Sequence, residues 1–129
     1  MGTRSITVVY DDEKRPLVTM YRQYDGYISG HGLELADFLD GRQLVNGIGS
    51  DTPEKASNGM GCLAASLIVH FKDGPGGFYI EPSPEGDYGQ EYEYHVYPNK
   101  IVVKDPYDEK VLFDGPWSMY VDFAKESDD

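Results

Sequence analysis

Arg22, Asp25 and His31 sit in one short stretch with Tyr21, Tyr24, Tyr27 and glycines at 26, 30 and 32. The guanidinium is a planar fork suited to a carboxylate or phosphate. Tyrosines add flat faces and hydroxyl donors, and glycines let backbone N–H groups come close to a ligand. Gly30-His31-Gly32 then runs into a helical pattern, whose first N–H groups favour an anion. Arg22, Tyr24, Asp25, Tyr27, Gly30, His31 and Gly32 therefore form the candidate ligand-binding set. The competing reading is structural: Asp25-Gly26 reverses the chain, and Arg22 pairs with Asp25 or a sheet neighbour.

Catalytic groupings are sparse, and no catalytic residue is assigned. Cys62 falls in the first turn of a helical segment, where the helix dipole lowers a thiol pKa, but no base lies near it in sequence. A small hydrolase or transferase would have to use His31 with Asp25 or Cys62. Ser29 and His31 lie in no nucleophile-elbow pattern. The three histidines, His31, His70 and His95, form no i, i+4 pair, and neither acidic turn, Asp11-Asp12-Glu13 or Asp105–Glu109, has calcium-loop spacing. No metal and no cofactor is expected. Asn58-Gly59-Met60-Gly61 precedes a helix but lacks the lysine and spacing of a phosphate loop, so helix capping is the expected use.

Charge speaks more strongly. With 23 acidic and 11 basic residues the chain carries a formal charge of −12. Such a surface repels phosphate backbones, and nucleic-acid binding needs counterions released by Lys and Arg, so no direct nucleic-acid contact is expected. Glu81, Glu85, Asp87, Glu91 and Glu93 follow one another with no intervening base, beside Tyr79, Tyr88, Tyr92 and Tyr94. Carboxylates spaced among tyrosines can imitate phosphates and bases toward a basic protein groove. An ordinary solvent-facing hairpin is the plain alternative.

These residues need a scaffold. Thr3–Tyr10 alternates around Ile6, Val8 and Tyr10, a polar turn follows, and Leu17–Gln23 resumes as a second strand. Leu35, Phe38 and Leu39 mark a short helix ended by Gly41. Gly41–Gly59 reads as loop with one helical turn at Thr52-Pro53. Met60, Leu63, Ala64, Leu67, Ile68 and Phe71 form one helical stripe, capped by Asn58 and stopped by Gly74-Pro75. Strands are predicted at Phe78–Glu81, Glu91–Tyr97, Ile101–Lys104 and Lys110–Phe113, and a last helix at Trp117–Ala124. The sum is an α+β fold: an antiparallel sheet of five to six strands with two or three helices packed on it. One domain is expected over residues 1–125, with 126–129 a flexible acidic tail. No apolar run spans a membrane, no signal peptide is visible, and a single cysteine suits a reducing cytoplasm.

Thr3 and Arg4, then Tyr24-Asp25-Gly26-Tyr27 with Gly30 and Gly32 before Phe38-Leu39, resemble a family of small phage and prophage proteins. That family shares a Thr-Arg start and an aromatic-Asp-Gly-Tyr-x-x-Gly-x-Gly core, over about the first third of this chain. Ile28 stands where a proline is common in it. The resemblance implies a mobile-element setting and no particular reaction. The resulting expectation is a non-catalytic, phage-associated protein that inhibits or sequesters a host component. Its partner is a host protein with a basic surface, met by the acidic face, or a small nucleotide-like ligand at the Arg22 set, in a pocket between copies of a homo-oligomer. A structural component of a mobile element is the remaining alternative.

Overall fold

The computed structural model describes residues 2–129. Ser5–Tyr10 (β1) and Pro16–Arg22 (β2) form an antiparallel hairpin. Asp11 shapes its turn, accepting from the backbone N–H groups of Glu13 and Arg15 at 2.8 and 2.9 Å. The helix Leu33–Leu39 (α1) ends where Gly41 takes a φ of +72°, the left-handed C-terminal position that favours glycine. Gly59–Phe71 (α2) leads through a glycine turn to Phe78–Glu81 (β5). Tyr92–Tyr97 (β6), Lys100–Asp105 (β7) and Lys110–Pro116 (β8) make a meander, and Trp117–Glu126 (α3) closes the chain.

The six main strands form one sheet in the order β5-β2-β1-β6-β7-β8, antiparallel everywhere except between β1 and β6. All three helices contribute buried residues to one core: Leu35 and Leu39 from α1, Leu63 and Leu67 from α2, Trp117 and Tyr120 from α3. Val9, Met20, Tyr94, Val96, Ile101 and Val103 meet them from the sheet. The fold is α+β, as the periodicity predicts.

On the opposite face the β5–β6 connection, residues 82–91, has to cross β2 and β1 to reach β6. The Tyr88 ring lies 6.1 Å from Tyr21, and Glu91 N–H donates to the Arg4 carbonyl at 2.9 Å. This strap accounts for Ile6 and Val8 being fully buried on a face that carries no helix. The alternation around Ile6, Val8 and Tyr10 thus points under the strap, while Ser5, Thr7 and Val9 face the helices. With both faces covered, β1 is buried along nearly its whole length.

Two expectations within residues 41–59 need correction. The segment 41–59 contains no helical turn but two short parallel strands, Gln43–Val45 (β3) and Ala56–Asn58 (β4). Three-residue strands are too short to show alternation. Thr52 caps no helix: its hydroxyl accepts from Gly49 N–H at 2.7 Å. The Asn58 side chain likewise accepts from Gly47 N–H at 2.8 Å, so α2 starts without a side-chain cap. In the 126–129 segment, the Asp129 carbonyl accepts from Ser29 N–H, which brings the end of the described chain against the Tyr27–Ser29 turn.

The stripe on α2 carries much of the core. Leu67→Ala is expected to cost about 2–5 kcal/mol, read as a lower urea midpoint at unchanged slope. Val69→Ala, on the opposite face at 78% exposure, is expected to stay within about 0.5 kcal/mol of wild type.

Candidate functional site

β2 delivers Arg22 to the helix side of the sheet, opposite Phe78 of β5 in the pairing register. The chain then reverses at Asp25, whose φ of +61° is left-handed, a conformation that Asp tolerates better than most residues. A π-helical turn over Ile28–Gly32 follows and feeds α1. The backbone N–H groups of Ser29–Gly32 are already used. His31 N–H donates to the Asp25 carbonyl at 2.7 Å, and those of Gly30 and Gly32 to Tyr27. No anion is needed to satisfy them.

The glycines serve close packing. A Cβ on Gly30 would stand 2.5 Å from the Asp25 carbonyl oxygen, and one on Gly32 would stand 3.0 Å from the Tyr120 hydroxyl and 3.1 Å from that of Tyr94. Those hydroxyls donate to backbone carbonyls, Tyr94 to Gly26 at 2.7 Å and Tyr120 to Gly32 at 3.0 Å. Burial pushes both tyrosine pKa values above their ordinary range.

His31 is 1% exposed, packed between the rings of Phe71 and Tyr94. Arg22 can only donate, so its contact with His31 Nδ1 at 3.2 Å makes that nitrogen the acceptor. His31 Nε2–H then donates to the Thr7 hydroxyl at 2.7 Å. Burial, with smaller contributions from Arg22 and His70, lowers its pKa to about 3, so the ring is neutral. Arg22 also pairs with Glu34.

Arg22 lines two adjoining clefts. One, of about 160 Å³, includes Tyr24, Phe71, Asp73 and Phe78. The other, of about 460 Å³, adds Glu34, Asp37 and His70. Three carboxylates surround one guanidinium already paired with Glu34, a poor field for an anion. Tyr24 is 54% exposed, and Tyr27 is half-buried with its hydroxyl 3.4 Å from the Asp25 carboxylate. The structure thus gathers Arg22, His31, Thr7 and Glu34 into one cluster, leaving Tyr24 outside it and committing Asp25, Gly30 and Gly32 to the turn. Cys62 is exposed on α2 near Arg42, and both ring nitrogens of His31 are occupied, so His31 forms no dyad with Asp25 or Cys62.

The acidic set lies on the strap side. Glu85, Asp87 and Glu91 are exposed on the strap, and Glu81 is half-buried on β5. Glu93 differs: half-buried, it accepts from His95 at 3.1 Å and from Gln90 at 3.1 Å, and the His95 contact holds its carboxyl below the usual range. His95 in turn meets the Tyr10 hydroxyl at 2.7 Å. Sequence reasoning missed this Tyr10–His95–Glu93 chain. Its one local signal is the i, i+2 spacing of Glu93 and His95, which places them on one face of a strand. Among the described residues no three His, Cys, Asp or Glu side chains are arranged to hold a metal ion.

No protein-family model matches the chain, and no curated protein and no solved structure matches it significantly.

The neutral His31 ties stability to pH. An unfolded histidine titrates near 6.5, whereas the folded one holds off its proton to about 3. Between those values the unfolded chain binds more protons, so stability is full above the unfolded pKa and is lost as pH falls. The unfolding free energy is expected to drop by about 2 kcal/mol from pH 7 to pH 5 in urea titrations. His31→Gln is expected to be less stable at pH 7 and to lose most of that slope. A slope equal to wild type would show that His31 is not the proton-excluding group.

Proposed function

We propose that the protein is a non-catalytic binding protein whose acidic strap engages a basic protein surface and so sequesters or inhibits that partner. The observation that carries this reading is the strap itself. Glu85, Asp87 and Glu91 are exposed and appear in none of the ion pairs among the described residues. The loop that presents them is ordered by its own hydrogen bonds. The Tyr88 hydroxyl donates to the Ser83 carbonyl at 2.6 Å, Gln90 Nε2 donates to the Gly86 carbonyl at 3.2 Å, and Tyr88 N–H donates to Gln90 Oε1 at 2.8 Å. Fixed carboxylates lose less conformational freedom on docking than a mobile acidic tail would.

The partner class follows from charge. A rigid negative face on a chain of net charge −12 competes with nucleic acid for grooves rich in Lys and Arg. In the phage or prophage setting that the Tyr24–Gly32 motif resembles, that partner is a host nucleic-acid-binding protein in the cytoplasm. The Arg22 cluster supports this reading as scaffold: its guanidinium is neutralised by Glu34.

Crosslinking mass spectrometry of complexes captured from host extract tests the reading. Wild type is expected to crosslink through the strap to a basic protein, which is released as salt shortens the Debye length from about 14 to about 6 Å. A Glu85→Gln, Asp87→Asn, Glu91→Gln triple variant is expected to bind that protein at least about tenfold more weakly. Equal capture by the triple variant would remove the strap from the interface.

A further inference from the structure

The strap covers only the β2–β1 side of the helix-free face. Beyond it, over β6 and β7, Tyr10 and Tyr97 stack with ring centroids 4.3 Å apart and planes within 10° of parallel. This stack is anchored from below. Glu93 accepts a hydrogen from His95 Nε2, which leaves His95 Nδ1 to accept from the Tyr10 hydroxyl at 2.7 Å. Gln90 ties the other oxygen of Glu93 to the strap. Tyr10 therefore has a fixed ring plane, and it fixes that of Tyr97.

Tyr97, with Pro98 and Val102, lines a cleft of about 340 Å³, and Asp12, Lys14 and Lys100 complete it from the two hairpins. That volume lies in the range of small-molecule pockets. Of its three charged lining residues two are lysines. Lys14 belongs to none of the ion pairs among the described residues. Lys100 pairs with Asp114 at 3.2 Å, but both side chains are about half exposed, at 50% and 53%, and an exposed pair of this kind is readily redirected. The contrast with Arg22, locked between His31 and Glu34, is direct.

We propose that this cleft binds a small planar aromatic anion, its ring stacked on Tyr97 and its carboxylate or phosphate held by Lys14 and Lys100. Asp12 accepts a hydrogen bond from an amino or hydroxyl group of the same ligand. The site is separate from the strap and does not depend on a protein partner there.

Amide chemical shifts of the full chain, titrated with AMP and with indole-3-carboxylate, test it. At least one of the two is expected to move the amides of Asp12–Lys14 and Tyr97–Val102 at submillimolar concentration. Which one binds tells phosphate from carboxylate. Adenosine and ribose 5-phosphate, each lacking one of the two recognised parts, are expected to bind at least about tenfold more weakly. Lys14→Ala with Lys100→Ala, both at exposed positions, is expected to raise Kd about tenfold or more, as is Tyr97→Ala, while Tyr97→Phe retains binding. The proposal is overturned by any of three results: no shifts with either anion up to several millimolar, shifts that map to the Arg22 clefts, or binding unchanged in the double lysine variant.

Discussion

Between β1 and β6 the main sheet changes from antiparallel to parallel, and much of the molecule follows from that one ladder. β5 and β6 lie on opposite sides of the β1–β2 hairpin, so the chain leaving β5 has to travel across the sheet before entering β6. It does so as the strap, opposite the helices. The strap buries Ile6 and Val8, carries the exposed carboxylates outward, and brings Gln90 to Glu93. Beyond the strap the Tyr10 ring stacks on His95 of β6, and the Tyr10–Tyr97 stack borders the cleft that Tyr97 and Val102 line. The acidic surface and the cleft lined by Lys14 and Lys100 thus lie on the same helix-free side of the sheet.

The second organising element is a set of polar side chains buried on the helix side with their bonds complete. Thr7, His31 and Arg22 form a line from the central strand to the rim, and Tyr94 and Tyr120 fasten the two ends of the Gly26–Gly32 backbone. Leaving any of these groups unpaired in a dry core would cost far more than the bond itself contributes, so the network specifies one arrangement of the turn. That explains why so many hydroxyls and glycines crowd a short segment. Their density reflects internal satisfaction of the turn, with Tyr24, Asp25 and Ser29 the exposed members of the segment.

How much of this could be read from the residues depends on the range of the interaction. The α2 stripe from Met60 to Phe71 is local, with a period of 3.6, and it marks the helix and its buried face correctly. Strands β1, β2, β5 and β6 carry enough alternation or β-branched content to be placed within a residue or two. The β3–β4 pair was invisible because three residues hold too little pattern, and Asn58 looked like a cap because its partner Gly47 is eleven residues upstream. The site residues were harder still. Arg22 and His31 could be nominated from their types, but which groups satisfy them depends on Thr7 and Glu34. Tyr10 meets His95 across 85 residues of sequence, a pairing that only the parallel ladder creates.

That ladder also divides the chain by the cost of forming its parts. The β1–β2 hairpin and the β6–β7–β8 meander are each built from neighbours in sequence, so their closure entropies are small. Joining β1 to β6 closes a loop of roughly 80 residues for five paired positions. The hairpin and the meander are thus fastened along one seam, while β5 joins the outer edge of β2 across a second long loop. Val8 faces His95 and Thr7 faces Tyr94 across it. The strap bridges the same seam, bonding to Arg4 before β1 and to Glu93 on β6, so a segment that presents charge to the outside also ties the two parts together.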